Sequence, residues 1–374
     1  MARTPLPRLT GSGPPPAPTA SGGRGGPAHP APLGRTSRAA AVAACAAVLV
    51  AAALVAVCVG SVTVTLPDTW RVVAGHLTGD TAHLDPVLDQ IVWEFRIPRT
   101  LLAVLCGAGL AVAGAVLQAV ADNPLADPYV LGLTSGASLG AVIVITAGAG
   151  VAGGVGVSFA AFLGAMAAVG LVFLLGRQHG GINPSRLILA GVAVGYLLLA
   201  VTNYLQLRAN PNELRAIMFW TLGSVAGATW SRLGLVAFVV IVTVGALTLS
   251  GRRLNALATG DEQAIALGVD VRVARLVLLG LSSLVTGVLI AEVGGIGFVG
   301  LMIPHLVRLG FGADYRRVLP LSALVGASYL VIVDLLSRTV DSPNELPIGI
   351  FTAAFGAPFL LWLLRRRQNA GSGP

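Results

Sequence analysis

RIPRTLLAVLCGAGLAVAGAVLQAVADNPLADPYVLGLTSGAS spans residues 96–138 and leaves few architectures open. Two apolar runs, each about as long as a bilayer is thick, flank a polar knot, Asp122-Asn123-Pro124-Leu125-Ala126-Asp127-Pro128. Such a knot is costly to leave unsatisfied in lipid, so the pattern predicts two membrane helices joined at a solvated corner. Pro124 and Pro128 stop a helix there, because each removes a backbone donor and biases its predecessor away from helical geometry.

The rest of the chain shares this character. Of 374 residues, 55% are hydrophobic and 11% charged, and the mean hydropathy is +0.83. That is far more apolar than a soluble domain and marks an integral membrane protein. The net charge of +8 could suit nucleic acid, but the basic residues are scattered between apolar runs and form no stripe, which fits a topology signal instead. All 24 basic residues are arginine. Without lysine the chain cannot form a Walker A loop, whose lysine contacts the nucleotide phosphates, so it is not itself a standard P-loop ATPase. Cys45, Cys58 and Cys106 sit inside apolar runs as small hydrophobes, and no disulfide framework or zinc spacing exists.

Residues 1–37 carry nine prolines and many glycines, the composition of a disordered cytoplasmic tail. A membrane domain is expected over 38–367 and a short C-terminal tail over 368–374. About ten spans are predicted, near 39–66, 100–121, 129–149, 151–175, 187–207, 233–249, 274–293, 297–311, 319–336 and 347–364. Residues 67–97 and 208–232 read as polar connections. Gly132, Gly136 and Gly140 recur at a spacing of four that lets helices approach closely. Arginines before the first span place its start in the cytoplasm, and alternation then puts 17 of the 24 arginines on that side, with both termini inside. Gly114-Ala-Val-Leu and Gly287-Val-Leu-Ile, five helices apart and therefore oppositely oriented, suggest an inverted repeat.

Taken in order, Arg96-Ile-Pro-Arg99, Gly114-Ala-Val-Leu-Gln118, Asn123-Pro-Leu-Ala-Asp-Pro128 and Gly132-Leu-Thr-Ser-Gly-Ala137 resemble the FecCD-type permeases. A second block agrees: Gly295-Ile-Gly-Phe-Val-Gly-Leu-Met-Ile-Pro-His305, Arg308, Asp334, Arg338, Glu345-Leu-Pro-Ile-Gly349 and Gly356-Ala-Pro358. That family comprises membrane subunits of bacterial ABC importers for iron chelates, haem and cobalamin, and the resemblance covers about residues 40–367. It implies an all-α, polytopic type II importer permease fold in the bacterial cytoplasmic membrane. It implies a second permease copy (homodimer or heterodimer), a separate ATP-binding cassette ATPase subunit and an extracytoplasmic substrate-binding protein. The partner subunit would use the ATP, and no cofactor or nucleic acid would bind the chain directly. A ferric siderophore is the leading cargo because most family members serve iron; haem and cobalamin are the alternatives.

Site residues follow in three groups. On the outside, Arg96, Arg99 and Arg338 are ordinary interfacial arginines or, by the resemblance, ion-pair partners of acidic residues on the docking protein, a task suited to a bidentate guanidinium. Asp334 and Arg338, one helical turn apart, can pair with each other. Within the cytoplasmic segment 254–272, Thr259-Gly-Asp-Glu262 is a capping-box pattern, Asp261 and Glu262 suit the positive end of a helix, and Gly268 is a terminator. A short helix over 260–267 is predicted, presenting Ala264, Ile265 and Leu267 inward. The segment is either an amphipathic linker or, by the resemblance, the piece that fits the ATPase, with Thr259, Asp261, Glu262, Gln263, Ala264, Leu267 and Gly268 its coupling residues. The third group, Gln118, Asn123, Pro124, Pro128, Pro304 and His305, is the family signature near the inner gate.

Glu292, an ionisable residue near the end of its helix, should face the bundle or a cavity and is a candidate substrate contact. His305 has no second ligand at helical spacing and reads as a packing residue; His76 and His83 read as solvated loop histidines. No metal site is expected. A secondary transporter would be expected to carry ionisable groups in mid-membrane, which spans two to six lack. An intramembrane serine protease built on Ser135 and His305 has nothing to bring the pair together.

Overall fold

The computed structural model describes residues 35–60, 62–148, 156–178, 181–182 and 184–371. Most of the expected N-terminal tail and residues 372–374 lie outside that set. In chain order the helices are α1 (Arg35–Cys58), α2 (Leu66–Thr78), α3 (Pro86–Asp89), α4 (Ile97–Val120), α5 (Leu133–Ala147), α6 (Val157–Gly176), α7 (Pro184–Leu207) and α8 (Pro211–Leu222). They continue with α9 (Trp230–Leu249), α10 (Gly251–Leu257), α11 (Asp261–Ala266), α12 (Val271–Val293), α13 (Val299–Phe311), α14 (Tyr315–Ser337) and α15 (Ile348–Gly371). A π-helical stretch, Gln90–Arg96, leads into α4, and Arg177–Gln178 pairs antiparallel with Gly181–Ile182 in the turn before α7.

Seven of these elements are long and apolar enough to cross a membrane, and three shorter apolar helices, Leu133–Ala147, Val299–Phe311 and Ile348–Leu363, bring the described set to the ten expected. At the centre stands α4. It is apolar all round, as a helix buried on every side must be, and every residue from Gly109 to Val120 is buried. Helices α9, α12, α13 and α14 surround it. Lipid supplies little hydrophobic drive between helices, so contact depends on backbones coming close. Gly107 faces Gly326 of α14 and Gly114 faces Gly300 of α13 so tightly that a Cβ at either α4 position would run into the opposing backbone. The predicted glycine spacing on α5 has the same purpose at two of its three positions: Gly136 meets Gly164, and Gly140 meets Ala160, both on α6.

Three expectations need correction. First, residues 67–97 are largely helical. Thr65 caps α2 by accepting from the Asp68 N–H at 3.3 Å, Asp85 caps α3, and Val64, Val72 and Val92 share a small buried cluster. Much of the charge that suggested a loop belongs to helix ends. Second, 208–232 contains α8, begun by a complete capping box between Asn210 and Glu213. Third, the corner is solvated only over its first part: Asp122 is exposed and Asn123, Pro124 and Leu125 are half-buried, but Ala126, Asp127 and Pro128 are buried, and Pro128 abuts Gly300.

That burial exposes the fold's symmetry. The helical path breaks after α4, over 121–132, and again after α12, over 294–298. Each break restarts on a left-handed residue, Gly132 at φ 76° and Phe298 at φ 68°, and leads into a short apolar helix, α5 or α13. The breaks touch: the Tyr129 hydroxyl donates to the Ile296 carbonyl at 2.7 Å and accepts from the Ile296 N–H at 2.9 Å. Broken helices at equivalent places in two halves are the mark of an inverted-repeat transporter.

Candidate functional site

The outer end of α4 is an ionic cluster. α1 ends with carbonyls that no helical donor satisfies, and two guanidiniums fill that gap. Arg96 donates to the carbonyls of Val57 at 2.7 Å, Cys58 at 2.9 Å and Val62, while Arg338 donates to that of Ala56. Arg99 Nε donates to Asp334 Oδ1 at 2.9 Å, and one Arg99 terminal nitrogen reaches both Glu345 oxygens, at 2.8 and 3.0 Å. Asp334, 1% exposed, also lies 3.5 Å from Arg338, so the expected pair on one helical turn is present. The three arginines expected to dock a partner are thus brought together and bonded within the protein itself. A depression of about 290 Å³ opens onto them, rimmed by Phe95, Pro343 and the half-exposed Glu345. Sequence spacing gave no sign of the Arg99–Asp334 bond, which joins residues 235 positions apart.

The inner end of α4 is fastened through a side-chain amide. Pro304 lies inside α13 and has no N–H, so the Gly300 carbonyl four residues earlier lacks its helical donor. The buried Gln118 amide supplies one, donating to Gly300 O at 3.1 Å and Leu301 O at 3.2 Å, while its own oxygen accepts from Arg308. Asn123 closes the corner by accepting from the Leu125 N–H at 2.9 Å, and Asp127 accepts from the Tyr129 N–H at 2.9 Å. Of the predicted gate residues, Gln118, Pro128 and Pro304 therefore converge on the start of α13, and Asn123 and Pro124 shape the adjoining corner. His305 is turned elsewhere, edge-on to Phe359 of α15 with ring centres 5.9 Å apart.

In segment 254–272 the helix predicted over 260–267 is present as α11, and a further short helix, α10, precedes it. The expected cap fails: Gly260, with φ 107°, is the N-cap of α11, and the Thr259 hydroxyl turns back to the Ala256 carbonyl at 2.7 Å. Gly268, at φ 79°, does end α11. Ala264 is fully buried rather than presented, whereas Ile265 and Leu267 are 64% and 69% exposed beside exposed Glu262 and Gln263. Asp261 is bound by both terminal nitrogens of Arg275 at 2.8 and 3.0 Å, which braces α11 against α12. Asn255 of α10 donates to Asp314 at 2.7 Å and accepts from the Tyr315 N–H at 2.9 Å, tying this segment to the start of α14. Burial works against the Asp314 charge, but hydrogen bonds from Asn255 and the Arg316 N–H, with Arg317 and Arg316 nearby, hold its carboxyl below the usual range.

Glu292, nearly buried, faces Arg232 of α9 at 3.6 Å, a partner the sequence did not signal. His76 is not a solvated loop residue: it stacks on Trp93 at 4.0 Å with its Nε2 2.7 Å from Asp89, while His83 is exposed. Among the described residues, no group of three or more His, Cys, Asp or Glu side chains could hold a metal ion.

Paired broken helices, an ionic cluster at one end of the central helix and a braced pair of short helices on the loop between α9 and α12 define a membrane permease of the ABC importer class. Residues 48–366 match the FecCD transport family, and the chain belongs to that family. It is 43% identical over 278 residues to the cobalamin import system permease protein BtuC of Halobacterium salinarum, covering 74% of each chain. It is 40% identical over 286 residues to the hemin transport system permease protein HmuU of Yersinia pestis, covering 75% of this chain and 85% of that one. A solved inward-facing ABC transporter of metal-chelate type superposes with a TM-score of 0.75 at 32% identity, over 87% of this chain and 98% of the other. The protein is accordingly a multi-pass permease of an ABC importer for metal chelates, haem or cobalamin, a transport subunit and not itself an enzyme.

Proposed function

We propose that this permease carries a ferric siderophore across the cytoplasmic membrane, working as one of two identical copies with both termini in the cytoplasm and driven by a separate ATPase. The observation that carries the coupling is the Ile265–Leu267 pair. Two large apolar side chains stay in the open on a segment fixed from both sides, by Arg275 to Asp261 and by Asn255 to Asp314. Exposed apolar groups on a rigid support suit a groove on a partner protein. At the other end, an acidic residue of a loaded binding protein would enter the depression above Arg99 and Arg338. Glu292 and Arg232 would meet the cargo or its carrier near the outer mouth.

The metal-chelate type of the solved neighbour supports the cargo assignment. Haem or cobalamin is the second reading, favoured by what the two relatives are named for. Reconstitution into liposomes with the ATPase and binding protein encoded beside the gene, followed by uptake of ferric siderophore, hemin and cobalamin, decides between them. Siderophore uptake that stops when the catalytic glutamate of the ATPase is changed is the expected result. Uptake of hemin or cobalamin alone would replace the cargo, and proton-driven uptake by the permease without its ATPase would replace the mechanism.

A further inference from the structure

Where the starts of α1 and α14 meet the end of α13, they enclose a groove of about 230 Å³ that no part of the transport scheme uses. Its floor is apolar, made by Ala41, Val42, Phe311 and Leu321, and its edge carries Arg316 and Arg317. Arg316 is exposed, and its guanidinium finds no acceptor among the described residues. Arg317, only 18% exposed, holds its Nε 3.7 Å from Asp314, beyond hydrogen-bond reach, and that buried donor is unsatisfied. Asp314 is the one carboxylate facing the two guanidiniums among the described residues, and it already accepts from Asn255 and from the Arg316 N–H. Positive charge is therefore in surplus directly above an apolar floor.

Water would satisfy the arginines but not the floor, and a neutral acyl chain would satisfy the floor but not the arginines. We propose that the groove binds one anionic phospholipid, its phosphate between Arg316 and Arg317 and an acyl chain lying along Val42 and Leu321. Cationic pockets between membrane helices recognise acidic headgroups through the same pairing of charge and apolar surface. Through Asp314 and Asn255 the headgroup is connected to α10, so the lipid abuts the segment assigned to ATPase coupling. The site does not depend on which cargo the permease carries.

The test uses the full-length chain purified in detergent and incubated with dioleoylphosphatidylglycerol or dioleoylphosphatidylcholine, with bound lipid read by native mass spectrometry. Phosphatidylglycerol is expected to be retained and phosphatidylcholine lost, and the double change Arg316→Gln with Arg317→Gln should weaken retention by about tenfold or more. Val42→Trp keeps both charges but fills the groove, and should also abolish retention; Arg365→Gln, a basic residue elsewhere, should leave it intact. Melting curves without added lipid establish that each variant is folded. Retention unaffected by the double change, or by Val42→Trp, would overturn the proposal. Displacement by inorganic phosphate would overturn it too, since it would mark a site for free anions.

Discussion

The two ends of α4 are fastened by different chemistry. The outer end uses charge: Arg96 and Arg99 are built into a cluster with Asp334, Arg338, Glu345 and the open carbonyls of α1. The inner end relies on the Gln118 amide, which stands in for the N–H that Pro304 lacks and whose oxygen accepts from Arg308, with no carboxylate in the bond set. Taking one partner from a buried ion pair leaves a desolvated charge behind, whereas amide hydrogen bonds can be exchanged for bonds to water at modest cost. Breaking the ionic cluster should therefore cost more than breaking the amide bonds at the other end of the same helix.

The strongest way to break that contrast is to remove the central carboxylate. Asp334→Leu leaves Arg338 without a carboxylate and Arg99 with Glu345 alone, and should cost about 3–5 kcal/mol. Thermal unfolding in detergent reads the loss, and adding Arg99→Leu should recover part of it. A melting point unchanged by Asp334→Leu would mean that charge is not what holds the outer end. At the inner end the effect should be smaller: Gln118→Leu leaves two carbonyls of α13 without that donor and should cost about 1–3 kcal/mol. Pro304→Ala restores the missing N–H to Gly300 and should regain part of that loss in the double variant. If Pro304→Ala does nothing in the Gln118→Leu background, the amide has some other role.

Much of this architecture was legible in the chain because membrane helices declare themselves by length and composition. The short helices were hidden for a definite reason. Asp68, Asp85 and Glu213 look like loop residues by charge, yet each sits at a helix start: the Asp85 and Glu213 carboxylates accept backbone N–H groups there, and Asp68 accepts from the Thr65 hydroxyl while its own N–H donates to Thr65. A capping-box pattern alone also misled. Thr259 has the right spacing to Glu262, but Gly260 takes the cap; Asn210 and Glu213 form the complete box with an asparagine in place of Ser or Thr. The site was legible as a set of residues and not as a set of bonds. Arg99 with Asp334, and Gln118 with the carbonyl freed by Pro304, join positions that only the tertiary fold brings together, and no local pattern encodes such a meeting. The Pro304 gap was the one available clue, since a proline inside an apolar helix always leaves an acceptor seeking a donor.

Segment 254–272 sharpens the comparison further, because its Leu254, Leu257 and Ala264 join the main core while Ile265 and Leu267 stay exposed. Gly268 turns the chain at φ 79°, with open space where a Cβ would point, so the penalty of a side chain there is backbone strain and not collision. Gly268→Val should cost roughly 1–2 kcal/mol locally and tilt α11. The expected signature is ATPase activity that persists while transport falls, measured in the same liposomes. Transport that stays normal would remove the segment from the coupling path.

The smallest effect concerns the joint between that segment and α14. Burial pushes the Asp314 carboxyl up, but the hydrogen bonds from Asn255 and the Arg316 N–H, with the neighbouring Arg317 and Arg316, outweigh it and hold the group below its ordinary value. An acid whose folded value lies below its unfolded value, near 4, adds stability that is present above that pH. The contribution disappears as the pH falls through the folded value. Wild type and Asp314→Asn should therefore differ in melting temperature by a constant amount from neutral pH down to about pH 5, and converge as the pH falls through the folded value. Asparagine can still accept from the Asn255 amide and the Arg316 N–H, so the variant isolates charge from geometry. A difference that ignores pH would assign the joint to hydrogen bonding alone. Convergence would show that its electrostatic part is held at neutral pH.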